Sequence, residues 1–183
     1  MRFNGLAFEA VAARVGRRAP CDLYHSALEV RDGRDRYVIE MAPVWSERAG
    51  DRGVVGEGPV GSRLLGRLRA FRYEIRRWRA GRIPDVGDAV DSPQRLSEDP
   101  EVARRVLDLV PMIPRLVWGR DEARTGDMWN SNSVTAWLLV SSGADSRGAH
   151  MPRGGRAPGW HAGVALAHRD RPIMGQSAHR SVR

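Results

Sequence analysis

The sequence predicts an α+β fold, a small antiparallel sheet packed against a helix. Three observations carry that prediction. Residues 23–30 alternate between two faces, Arg31-Asp32-Gly33-Arg34-Asp35 is a hairpin turn signal, and Tyr37-Val38-Ile39-Glu40-Met41 reads as the return strand. Within a strand expected over 68–78, residues 71–76 show a two-residue period. Residues 131–141 follow an Asn, open on Ser and Asn, carry Val134, Trp137 and Leu138 on one side, and stop before Gly143. That is the pattern of a capped helix.

The elements follow in order along the chain. Residues 5–16 place Leu6, Val11 and Val15 at helical spacing, and Pro20 closes the segment. In the hairpin, Arg31 opposite Arg36 sets residue 27 against 40 and 25 against 42, so His25 and Glu40 are expected on one face of the ribbon. The glycine-rich stretch 46–61 is expected to be loop, with a short strand at Val54-Val55. Phe71, Tyr73 and Ile75 alternate with Arg72, Glu74 and Arg76, which predicts a half-buried strand with an arginine-rich outer face. Asp99-Pro100-Glu101 starts a helix with a capping carboxylate, a proline in the first turn and an acid near the positive helix end. Val102, Val106, Leu109 and Val110 give that helix its buried face, Pro111 and Pro114 end it, and it is expected outside the main core. Residues 146–159 read as a Gly/Pro/Arg loop, and Gly163-Val164-Ala165-Leu166 as a last short strand.

Composition narrows the functional classes. The chain has 183 residues, 42% hydrophobic and 28% charged, enough for a sizeable core. One α+β domain over 1–167 and a basic, disordered tail over 168–183 are expected. No stretch approaches about 20 uncharged apolar residues, so no membrane span is expected. A single cysteine, Cys21, excludes an internal disulfide framework and a cysteine-built metal site; it reads as an inert small apolar residue, and the cytoplasm is the default compartment. All 30 basic residues are arginine, and the net charge is +8. The arginines are spread along the chain, as a GC-rich genome would produce, so a nucleic-acid partner is disfavoured. Arg69, Arg72, Arg76, Arg77 and Arg79 cluster enough to suggest an anionic partner surface. The five histidines lack metal-ligand spacing, and no phosphate loop or nucleophile-elbow motif is present, so neither metal nor cofactor is expected.

One constellation can carry chemistry: a histidine on a strand, an acid on the neighbouring strand, and Asn130-Ser131-Asn132-Ser133 at a helix start. A hydroxyl at a helix N-terminus sits at the positive end of the dipole, beside free N–H groups that can receive an oxyanion. A nearby histidine can take its proton, and an acid can hold the histidine's tautomer. These features offer Ser131 or Ser133 as nucleophile, His25 as base and Glu40 as orienting group. The same residues have plainer roles: Asn130, Ser131 and Ser133 are natural helix caps, His25 suits a structural hydrogen bond, and Glu40 suits an arginine on the next strand.

The segments Leu23-Tyr24-His25-Ser26-Ala27-Leu28-Glu29-Val30 and Asn130-Ser131-Asn132-Ser133-Val134 resemble the circularly permuted papain-like hydrolases. These comprise the PPPDE group (deSUMOylating-isopeptidase-like), the permuted NlpC-type enzymes and the lecithin–retinol-acyltransferase-like enzymes. The resemblance implies a histidine strand first, further strands, and then an Asn-Cys motif opening a helix. The family's histidine falls on His25 and its cysteine on Ser131. Asn130, Asn132 and Ser133 are the neighbours of that position, and Glu40 is the candidate third polar residue. The implied activity is a hydrolase or acyl-transferase attacking an amide, isopeptide or ester carbonyl of a peptide, acyl or ester substrate. Serine in place of cysteine leaves a second reading, a non-catalytic binding module on the same fold.

Overall fold

A computed structural model of the chain describes residues 22–44, 53–83, 86–89, 93–144, 149 and 155–176. The expected helix over 5–16, Cys21 and residues 177–183 lie outside the described residues. Four antiparallel strands form one sheet: β1 Leu28–Asp32, β2 Asp35–Pro43, β3 Val54–Pro59 and β4 Arg72–Arg79, in the order β1-β2-β4-β3. Three α-helices accompany it: α1 Pro100–Leu109, α2 Ser131–Ser142 and α3 Trp160–Gln176. The architecture is the expected mixed α+β, with a small antiparallel sheet.

The hairpin register is the one the turn predicts, with Arg31 opposite Arg36 and Gly33 at φ +59° in a two-residue turn. The ribbon is shorter than expected, however. Pairing starts at Leu28, so His25 lies outside the ribbon. Residues 22–24 pair elsewhere: Tyr24 N–H donates to the Arg156 carbonyl, and Arg156 N–H to the Asp22 carbonyl.

One sheet face supplies Ile39, Met41, Tyr73 and Ile75 to the core, where they join Val134, Trp137 and Leu138 of α2. Each such fully buried aliphatic side chain contributes about 1.5–3 kcal/mol of transfer free energy. Tyr73 donates its hydroxyl to the Leu116 carbonyl at 2.8 Å, and burial pushes its phenol up to about 12. Helix α2 is the centre of the molecule, with every residue but Ser141 buried. Its sequence, rich in Ser, Asn, Val and Thr, is a poor intrinsic helix former, so packing and capping hold it.

Three sequence expectations are corrected here. Helix α1 begins as expected, with the Asp99 carboxylate accepting from Glu101 N–H at 2.8 Å, but it belongs to the core. Its Val106, Leu107 and Leu109 pack into the same cluster as the sheet, because the valine–leucine stripe has nowhere else to shed water. Strand β4 has no solvated outer face: Tyr73, Glu74, Ile75 and Arg76 are all buried. Residues 163–166 are the second turn of helix α3, not a strand, and the helix runs on through Gln176 into the expected tail. Gly163 and the alanines there are small enough for α3 to press against α2. A Cβ on Gly163 would stand 2.1 Å from the Ser133 carbonyl oxygen.

Candidate functional site

The site is built on the first turn of α2. Trp129, 1% exposed, is held by backbone hydrogen bonds in both directions, from its N–H to Arg120 and from Gly119 N–H to its carbonyl. That fixes the entry to Asn130. The Asn130 side chain accepts from Asn132 N–H at 2.9 Å and Ser133 N–H at 3.3 Å. Ser133 Oγ accepts in return from Asn130 N–H at 3.0 Å, completing a capping box. With these donors used, and Val134 N–H bonded to the Asn130 carbonyl, Ser131 N–H is the donor of this turn without a partner among the described residues.

Ser131 Oγ lies 2.6 Å from His25 Nδ1, a contact across 106 positions of sequence. With the imidazole proton on Nε2, the hydroxyl donates and Nδ1 accepts. The histidine is on the surface, while Ser131 beneath it is 5% exposed. Asn132 brackets the histidine from the helix side. Its Nδ2 donates to the Tyr24 carbonyl at 2.9 Å, and its Oδ1 accepts from Ser26 Oγ at 2.8 Å. The residues immediately before and after His25 are therefore both tied to the residue immediately after Ser131.

No family model matches the chain, and neither a curated protein nor a solved structure matches it.

The structure brings His25 and Ser131 together and leaves Glu40 apart. Glu40 accepts from Arg76 Nη1 at 2.9 Å, and Arg76 Nε donates to Glu74 at 2.9 Å, all three side chains nearly sealed from water. Glu40 makes no hydrogen bond to His25 among the described residues. The pairing that was expected to set His25 and Glu40 on one face stops at Leu28, three residues short of the histidine. The cross-strand neighbour Arg76 claims the carboxylate instead.

Ser133 is not poised like Ser131. It is fully buried, accepts from Asn130 N–H and points at the Gly159 carbonyl at 2.7 Å. Changing Ser133 to alanine is expected to strand the Asn130 N–H and lower stability by about 1–3 kcal/mol. Urea unfolding measures this; an unchanged midpoint would remove Ser133 from the scaffold.

The segment 155–163, read from sequence mainly as loop, proves to be the other half of the frame. Asn130 Nδ2 and Asn132 Nδ2 both donate to the Pro158 carbonyl, at 2.8 and 3.0 Å. Gly159 N–H donates to Asp127 at 2.8 Å. Gly159 has φ +89°, and a Cβ there would stand 2.3 Å from Asn130 Oδ1, so only glycine fits. The four-residue spacing of Gly155, Gly159 and Gly163 was the available signal for this close packing.

Beside this frame, Gly126, Asp127, Gly155, Arg156, Ala157, Pro158, Trp160 and His161 line a cleft of about 450 Å³. Its Asp127 wall belongs to a tightly turned loop, in which Thr125 and Gly126 N–H groups hold the Asp121 carboxylate below its ordinary range. Among the described residues no group of three or more His, Cys, Asp or Glu side chains is placed to hold a metal ion.

Proposed function

We propose that the chain is a hydrolase or acyl-transferase of the permuted papain-like kind, acting on an amide, isopeptide or ester carbonyl through Ser131 and His25. The 2.6 Å approach of His25 Nδ1 to Ser131 Oγ carries the reading. Ser131 Oγ adds to the carbonyl carbon as its proton passes to Nδ1, and the carbonyl electron pair moves onto oxygen. Ser131 N–H, at the positive end of α2, faces that charge. Collapse expels the amine or alcohol, which takes the proton from the imidazolium. Water or an acceptor nucleophile then releases the acyl group by the same steps in reverse. The reaction so written needs no cofactor. Asn130 caps the helix, and Asn132 is a positioning residue that sets the histidine over the serine.

The test is labelling with a fluorophosphonate probe. The parent is expected to label, and Ser131→Ala to lose the label while its circular dichroism is unchanged. A folded parent that does not label refutes the reading. The 5% exposure of Ser131 favours a second reading, a non-catalytic module that binds a peptide or acyl group. Ligand binding that survives Ser131→Ala, in a parent without turnover, would establish it.

A further inference from the structure

The connection from β3 to β4 carries four of the seven large apolar side chains exposed among the described residues. Leu64, Leu65, Leu68 and Phe71 are 70%, 40%, 58% and 40% exposed, within eight consecutive residues. The segment is not loose chain. It forms two short 3₁₀ turns, Leu65–Arg67 and Arg69–Phe71. Val60 N–H bonds to the Phe71 carbonyl, Gly61 N–H to Trp118, and Arg120 Nε to the Gly61 carbonyl. Gly66 rests on Pro59, where a Cβ would stand 2.5 Å from the proline Cβ. A loop so well fastened that keeps its leucines in water presents them to something.

Charge indicates what that is. Residues 58–73 contain four arginines and no acid. Arg63 pairs with Glu122 and Arg72 with Glu57. Arg67 and Arg69 have no ion-pair partner among the described residues. Gly58, Pro59, Arg63, Gly66, Arg67 and Arg72 line a cleft of about 200 Å³, and Gly66 and Arg67 stand between Leu65 and Leu68 in the chain. The rest of the expected arginine patch is spoken for: Arg76 is buried between carboxylates, Arg77 donates to the Leu107 carbonyl, and Arg79 pairs with Asp35.

We infer that the 62–72 loop docks this protein on the surface of an anionic lipid bilayer, with Leu64, Leu65, Leu68 and Phe71 entering the interface and Arg67 and Arg69 on lipid phosphates. Four exposed apolar side chains interspersed with arginines suit an interface of acyl chain and headgroup. No helix among the described residues is long and apolar enough to cross a membrane, so the contact is peripheral.

The experiment is co-sedimentation with vesicles of phosphatidylcholine, with and without phosphatidylglycerol. The parent is expected to pellet with the anionic vesicles and to be released by salt. Leu64→Ser with Leu68→Ser should weaken binding about tenfold. Arg67→Gln with Arg69→Gln should weaken it about thirtyfold on anionic vesicles and leave neutral ones unchanged. All four positions are at the surface, and circular dichroism checks that the variants fold. A parent that stays in the supernatant, or variants that bind like the parent, overturns the inference. So does self-association in sedimentation velocity that the leucine variant abolishes without any vesicle binding, since the patch would then belong to a protein partner.

Discussion

Changing His25 to alanine is expected to slow fluorophosphonate labelling of Ser131 by about 10²–10⁴-fold, the usual contribution of a positioned general base. A serine hydroxyl is not ionised at neutral pH and is a weak nucleophile alone, so its reactivity depends on the group that removes its proton. Here that group is 2.6 Å away, in hydrogen-bond contact with no water needed between. The same variant should also flatten the pH profile of labelling, removing the limb along which the rate rises as imidazole loses its proton. A variant that merely loosened the fold would lower the rate at every pH and keep that limb. If His25→Ala labels at the parent's rate with the parent's profile, the contact is a structural hydrogen bond.

Changing Arg76 to methionine is expected to destabilise the fold by about 3–5 kcal/mol, read from the urea midpoint. Arg76 stands between Glu40 and Glu74 with side chains 4%, 6% and 5% exposed, and its Nε and Nη1 each reach a different carboxylate. Methionine replaces the volume of the arginine stem but removes the cation that the buried Glu40 carboxylate faces across β2 and β4. Most of the cost is that exposure of charge to a low dielectric, rather than the net worth of the ion pairs. A loss under about 1 kcal/mol would mean that water enters this face of the sheet.

Much of the frame was legible because short-range chemistry dictates it. Gly33 in a two-residue turn fixed the hairpin register. Asp99 before Pro100 marked a helix start, and Gly143, at φ +77°, marked the end of α2. The pairing of His25 with Ser131 was readable as a pattern of residue types, although their meeting needs the tertiary fold. What was not legible depends on neighbours distant in sequence. The alternation of β4 looked half-solvated because nothing local shows that Glu40 waits opposite Arg76. The four residues Gly163–Leu166 have no period long enough to separate strand from helix, and the packing of α3 on α2 decides it. Glu40 suits either a histidine partner or an arginine partner by chemistry. The cross-strand register selects the arginine, and Asn132 brackets the histidine through the Tyr24 carbonyl and the Ser26 hydroxyl.

The sequence distances in the site set an order in time. A ribosome releases His25 early, Ser131 some hundred residues later, and then Pro158 and Gly159, which clamp the serine's turn. The pair is not assembled until synthesis has passed residue 159, and contacts of such separation close only with the core as a whole. A stalled or truncated chain would thus carry both residues without the contact between them. The labelling of Ser131 would report completed folding as directly as it reports chemistry.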